Sequence, residues 1–151
     1  VSKFWDKRSV GPIKALHPMT GKVIDVDPQK DSFIGSDLNI ALRRLPGLLS
    51  WYMALRDRAK TRLRDARHAE HNAEEDCYGE IREKNPKLTE TTVKMAVKKD
   101  PRMRKAFRER MDAEDMYQKL SSAVESISEK RWSLQGLVKN AALERGTKDS
   151  M

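Results

Sequence analysis

The chain has 151 residues, of which 36% are charged, 38% hydrophobic and 6% aromatic, and its 31 Lys and Arg outnumber 23 Asp and Glu to give a formal net charge of +8. No stretch approaches the roughly 18 consecutive apolar residues of a membrane span, which excludes a helical membrane protein, and the charged opening residues 1–8 argue against a secretory signal unless one was removed. The single cysteine, Cys77, cannot form an internal disulfide and with seven methionines fits a reducing compartment, so a cytoplasmic location is expected.

Three of the six prolines and three of the seven glycines fall in residues 1–35. The same stretch holds two β-favouring pieces, Ile13–Leu16 and Val23–Val26, separated by a turn at His17-Pro-Met-Thr-Gly-Lys22. Residues 1–35 therefore read as an N-terminal arm, either a short β-hairpin or plain extended chain. A two-stranded hairpin is marginal alone and has to lean on something else. The arm carries Phe4, Trp5, Ile13, Leu16, Val23, Ile24, Val26 and Phe33, too apolar for a disordered tail and too small for an independent domain. It is expected to dock on its own helices, on a neighbouring subunit or on a protein partner, with the neighbour favoured.

From Ser36 the pattern turns helical. Leu38, Ala41, Leu45, Leu48, Tyr52, Leu55, Ala59, Arg62, Ala66, Ala69 and Ala73 follow heptad spacing and are apolar except at Arg62, which marks a packing seam. Pro46 and Gly47 imply either a kink or a start after Leu45. Asn85-Pro86 stops the helix, Thr89 can cap a short helix over 90–99 with Val93, Ala96 and Val97 inward, and Asp100-Pro101 is a strong helix start. A second seam runs from Met103 through Ala106, Arg110, Ala113, Tyr117, Leu120, Val124, Ile127, Arg131, Leu134 and Val138 to Ala141, ending at Gly146. The expected fold is mainly α: a long antiparallel helical hairpin over 36–146 with a short helical elbow, preceded by the arm and followed by a tail over 147–151.

A lone helix pair has no enclosed interior. Trp51, Met53, Phe107, Met116, Trp132 and Leu137 lie outside the seams and would face water, and burying each contributes roughly 1.5–3 kcal/mol, so a homo-oligomer, most simply a closed ring, is expected.

In an antiparallel pair, the acidic segment 70–83 lies opposite the basic segment 102–115, and the two largely neutralise each other. Two basic runs are less balanced: Arg56, Arg58, Lys60, Arg62, Arg64 and Arg67 against Asp57 and Asp65, and the elbow with Lys87, Lys94, Lys98 and Lys99. Charge runs on long helices are ordinarily solvated faces. Here the net charge and the arginine bias shift the reading toward a polyanion surface, with Arg56, Arg58, Lys60, Arg64 and Arg67 as one patch and Lys94, Lys98 and Lys99 as a second. Trp51 and Trp132 adjoin basic residues and are candidate platforms for base stacking, although packing is the commoner role of such rings. Binding of this kind is salt-dependent and without sequence preference.

The stretch from about Ser36 to Ala142 resembles the UvsY-type recombination mediators of tailed phages. The likeness lies in the order of long helix, elbow and long helix, and in Lys87-Leu-Thr89, Val93-Lys94, Val97, Asp100-Pro101, Ala113-Glu114 and Lys130-Arg131-Trp132 with Leu134. The arm has no counterpart. The resemblance implies an oligomeric ring that binds single-stranded DNA and helps load a RecA-like recombinase in the presence of a single-strand-binding protein. The alternative is a structural or adaptor phage protein whose helices form a ring without nucleic-acid function.

No catalytic residue, cofactor site or metal site is expected. His68 and His71 lack third and fourth ligands of matching spacing, Asp25, Asp27 and Asp31 suit turn and capping roles, Cys77 suits a buried apolar position, and phosphate-cradling glycine motifs are missing from the sequence.

Overall fold

The computed structural model describes residues 11–149, with side chains over 11–146; Phe4, Trp5 and residues 150–151 lie outside the described residues. The elements are β1 (Ile13–Leu16), β2 (Val23–Val26), α1 (Pro28–Asp31), α2 (Leu38–Lys84), α3 (Glu90–Lys99) and α4 (Pro101–Asp149). The chain is mainly helical, a long antiparallel helix pair with a short helix between and a two-stranded sheet before it. No described helix is long and apolar enough to cross a membrane. Two compact units divide it, residues 1–58 with 118–151, and the continuous segment 59–117.

In the first unit the arm is a β-hairpin. β1 and β2 pair antiparallel with Ile13 opposite Val26 and Leu16 opposite Val23. The turn closes because His17 N–H donates to the Lys22 carbonyl at 2.8 Å and the His17 Nδ1 accepts from the N–H of Met19 and Thr20. Gly21 suits the turn because its φ is 68°, a conformation that side-chain-bearing residues rarely adopt; the tip of the flexible Arg58 side chain lies beside it. Ile13, Ala15 and Val26 are buried while Lys14 and Asp25 face out, the alternation of a strand pair with one covered face.

The cover comes from the same chain. Asp27 caps α1, and the Ser32 hydroxyl closes it by donating to the Pro28 carbonyl at 2.6 Å. Asp31 then accepts from the Tyr52 hydroxyl of α2 at 2.6 Å, Ser32 accepts from Lys130 Nζ of α4 at 2.8 Å, and Arg44 donates to the Phe33 carbonyl. Within this chain, Asp31, Ser32 and Phe33 of the arm find their partners on its own two long helices.

α2 begins at Leu38 with Pro46 inside it, not after Leu45. Asp37 accepts from the N–H groups of Asn39 and Ile40, and Ala41 and Leu45 are buried, so the turns before the proline are anchored by a cap and by packing. The expected seam holds through Ala41, Leu45, Tyr52, Leu55 and Ala59, then shifts by one residue: Leu63 is buried in place of Arg62, and Ala69 is exposed. A straight helix of 3.6 residues per turn drifts out of a strict seven-residue repeat, and the stripe recovers with an extra four-residue step. On α4 no expected seam residue is exposed, and Met116, expected to face water, is buried. α4 continues past Gly146 to Asp149, so the backbone of the expected tail is helical that far.

The second unit packs the elbow. α3 buries Val93 and Val97 against Cys77, with Tyr78, Ile81, Leu88 and Met103 around them. Burial pushes the Cys77 thiol pKa up, as suits a small apolar core residue. Thr89 caps α3 by accepting from Thr92 N–H, and Asp100 caps α4 by accepting from Arg102 N–H at 2.9 Å, with Pro101 in the first turn. Arg82 reaches across the connection to the Leu88 carbonyl at 2.6 Å and to Glu90, which also accepts from the Tyr78 hydroxyl. Glu70 pairs with Arg110 and Glu80 with Arg102, which fixes the antiparallel register.

Two outcomes follow. Tyr52→Phe leaves the Asp31 carboxylate without its hydroxyl donor and should destabilise the chain by about 1–3 kcal/mol in chemical denaturation. The Arg102 hydrogen bonds hold the carboxyl groups of Glu80 and Asp100 below their ordinary range, so the stability they contribute is fully present above that range and lost as pH falls through the lowered values. Arg102→Ala should therefore flatten the acid limb of the melting temperature against pH.

Candidate nucleic-acid interface

The second unit carries an open groove whose chemistry follows from which residues the three helices bury. By burying Val93 and Val97, α3 turns Lys94 and Lys98, one turn apart, onto its flank. α4 buries Ala106 and Ala113 and so presents Arg104 and Arg108, again one turn apart. On α2, burial of Ala59, Leu63 and Cys77 leaves Lys60, Arg64, Arg67, His71, Glu74 and Tyr78 recurring at three- and four-residue steps, one stripe that returns to its starting azimuth in about five turns.

The groove has a volume of about 1210 Å³ and is lined by Glu70, His71, Glu74, Glu75, Tyr78 and Gly79 of α2, by Lys94, Val97 and Lys98 of α3, and by Met103, Arg104, Phe107 and Arg108 of α4. Its acidic side chains all come from α2 and its Lys and Arg all come from α3 and α4. Tyr78, Val97, Met103 and Phe107 give it an apolar lining, with Phe107 48% exposed and the Arg110 guanidinium 5.2 Å from the centre of its ring. Among the described residues Lys94, Lys98, Arg104 and Arg108 form no salt bridge, whereas Glu70 is held by Arg110 and Glu75 by His71 Nε2 at 3.1 Å.

The expected site residues divide. Lys94 and Lys98 line the groove; Lys99 is exposed on α3 but is not part of the lining. Lys60, Arg64 and Arg67 form the stripe that leads into the α2 margin, loosely neighboured by Asp65 at 3.8 Å from Arg64 and Glu114 at 4.0 Å from Arg67. Arg56 and Arg58 belong to the first unit, Arg56 half-buried and 3.9 Å from Asp57, Arg58 against the Gly21 turn. Of the five residues expected as one patch, Arg56, Lys60, Arg64 and Arg67 follow three- and four-residue steps along α2, whereas Arg58, two positions from Arg56 and Lys60, points to nearly the opposite side.

Trp51 is half-buried with His17 edge-on to its ring at 5.5 Å, so packing occupies it. Trp132 is 78% exposed, but its basic neighbours in sequence point elsewhere: Lys130 turns inward to Ser32, and Arg131 lies on the seam with its Nε buried and unpartnered. Burial lowers the Lys130 pKa.

Arg104 and Arg108 are the residues that sequence order misplaces, as neutralised; Phe107, expected to face water, is 48% exposed. Register supplies the missing signal. With Glu80 opposite Arg102 and Glu70 opposite Arg110, the positions facing Arg104 and Arg108 fall near Cys77 or Tyr78 and Asn72 or Ala73, none of them acidic. Among the described residues no three His, Cys, Asp or Glu side chains stand close enough to hold a metal ion.

The chain matches no protein-family model, and neither a curated protein nor a solved structure is significantly similar to it.

Proposed function

We propose that the chain is a non-enzymatic accessory protein of DNA recombination or replication that holds single-stranded DNA in the groove of its second unit. The observation that carries this reading is the set of four cations, Lys94, Lys98, Arg104 and Arg108, without salt-bridge partners around an apolar lining. Phosphates are attracted to such cations, and the exposed face of Phe107 offers a flat apolar surface for an unpaired base, a stacking interaction worth roughly 1–3 kcal/mol. The Lys60, Arg64 and Arg67 stripe extends the cationic path along α2. The further step, from holding a strand to loading a recombinase in the presence of a single-strand-binding protein in the host cytoplasm, rests on the resemblance to the UvsY-type mediators.

A second reading, a structural or adaptor phage protein, draws on the apolar surface of the first unit, where Ile40, Met53, Trp132, Leu137 and Leu143 are exposed. Both readings include self-association, since burying exposed apolar side chains against another chain is favourable.

Substituting Lys98, Arg104 and Arg108 together by Ala should weaken oligonucleotide binding and lower the salt slope by about 0.7 for each phosphate that is no longer neutralised. The triple change of Arg58, Arg64 and Arg67 should lower it less, because Arg58 points away from the stripe. An intact slope in the first variant excludes the groove as the binding surface. Sedimentation at micromolar concentration should show an assembly larger than the 17.4 kDa chain, and a stable monomer would refute self-association.

A further inference from the structure

We propose that Phe107 sets a preference of the groove for single strands over duplex, with Arg110 as the residue that positions its ring. This deepens the strand-binding reading and rests on it.

Cations alone do not make that choice. They attract any phosphate backbone, and the duplex, with the denser charge, gains more from each neutralised phosphate than a single strand does. A preference for single strands has to come from the face of an unpaired base, which a duplex keeps inside its own stack.

Two rings line the groove, and an arginine lies over each, Arg82 over Tyr78 and Arg110 over Phe107. They differ in what is left open. Tyr78 is packed against the Val93 and Val97 cluster and its hydroxyl donates to Glu90, whereas Phe107 is exposed. Arg110 is itself fixed, because it donates to Glu70 of α2 and, at 3.0 Å, to Glu114 one turn further along α4. The Phe107 ring is therefore backed by a guanidinium that two carboxylates hold in turn, and Arg110 is not part of the groove lining. A flat group fixed in advance loses little freedom when a base lies on it.

Placement around α4 brings base and ring together. Three residues advance a helix about 60° short of a full turn, so Phe107 lies between Arg104 and Arg110 around the axis. Arg110, paired with Glu70, marks the edge that meets α2, and Arg104 forms the cationic rim with Arg108. A strand whose phosphates rest on Arg104 and Arg108 thus turns its bases inward across Phe107.

The test is fluorescence anisotropy of the full chain with one mixed-sequence oligonucleotide, single-stranded and annealed to its complement, at neutral pH and one salt concentration. Phe107→Leu keeps an apolar side chain and removes the flat face, so it should weaken single-strand binding about tenfold while duplex binding stays within about twofold. Phe107→Tyr retains the ring and should retain the preference. Arg110→Lys preserves a charge for Glu70 but not the flat guanidinium over the ring, and should lower the ratio of the two affinities about threefold. A role confined to helix register would leave that ratio unchanged.

Equal affinity of the parent chain for the two forms, or a Phe107→Leu variant that keeps the parent's ratio, overturns the proposal and leaves strand binding standing. An unchanged ratio in Arg110→Lys overturns the positioning role. Binding of neither form by the parent chain sinks the strand-binding reading and this one with it. Phe107 is exposed on a continuous helix, so its variants keep their fold, which helical circular dichroism verifies.

Discussion

The second unit depends on the burial of two valines. A helix of ten residues is too short to hold its shape alone in water, so α3 exists because Val93 and Val97 find Cys77 and the side chains around it. That packing decides everything else about the elbow. It fixes the rotation of α3 about its axis, and the rotation determines that Lys94 and Lys98 look into the groove while Lys99 does not. The polar interactions of Arg82, Tyr78 and Glu90 close the connection, on partly or fully exposed side chains, and serve to orient an element whose stability is apolar in origin.

Charge on these helices is divided between register and surface. Arg102 and Arg110 are committed to Glu80 and Glu70, while Arg104 and Arg108, in between, form no salt bridge among the described residues. Exposed ion pairs contribute little to stability individually. Their larger effect is on alignment: a slip of one turn would bring Glu70 or Glu80 away from its arginine and place a carboxylate opposite a residue with nothing to offer it. The same alignment leaves the groove cations unneutralised, so the availability of positive charge is a by-product of the pairing that holds the helices in step.

Much of this is legible in residue order. The two strands, the Thr89 cap and the Asp100-Pro101 start occur where their chemistry puts them, because turns, caps and prolines act over three or four residues. The α4 seam is legible for the same reason. What sequence spacing alone misses is set at longer range. The phase of α2 slips past Arg62 to Leu63, since a strict heptad cannot be kept along a straight helix. Met116 is buried where spacing places it in water, and Arg104 and Arg108 look neutralised in residue order, because counting charges in a segment ignores which residue each one faces. Trp132 has basic surroundings only along the chain; around the helix, Lys130 and Arg131 diverge from it.

The route of the arm also has a temporal side. The second unit is one uninterrupted stretch, 59–117, and its ion pair between Glu70 and Arg110 closes a loop of only 40 positions. The first unit needs both ends of the chain: Ser32 meets Lys130 across 98 positions. Pairings between distant residues are entropically slow to form, and a chain emerging from the ribosome presents its early residues long before its late ones. The elbow can therefore assemble while the end of α4 is still being synthesised, whereas the hydrogen bond from Lys130 to Ser32 waits for the last helix. The stretch around Ser32 is made early in the described chain, and its bond to α4 is completed late.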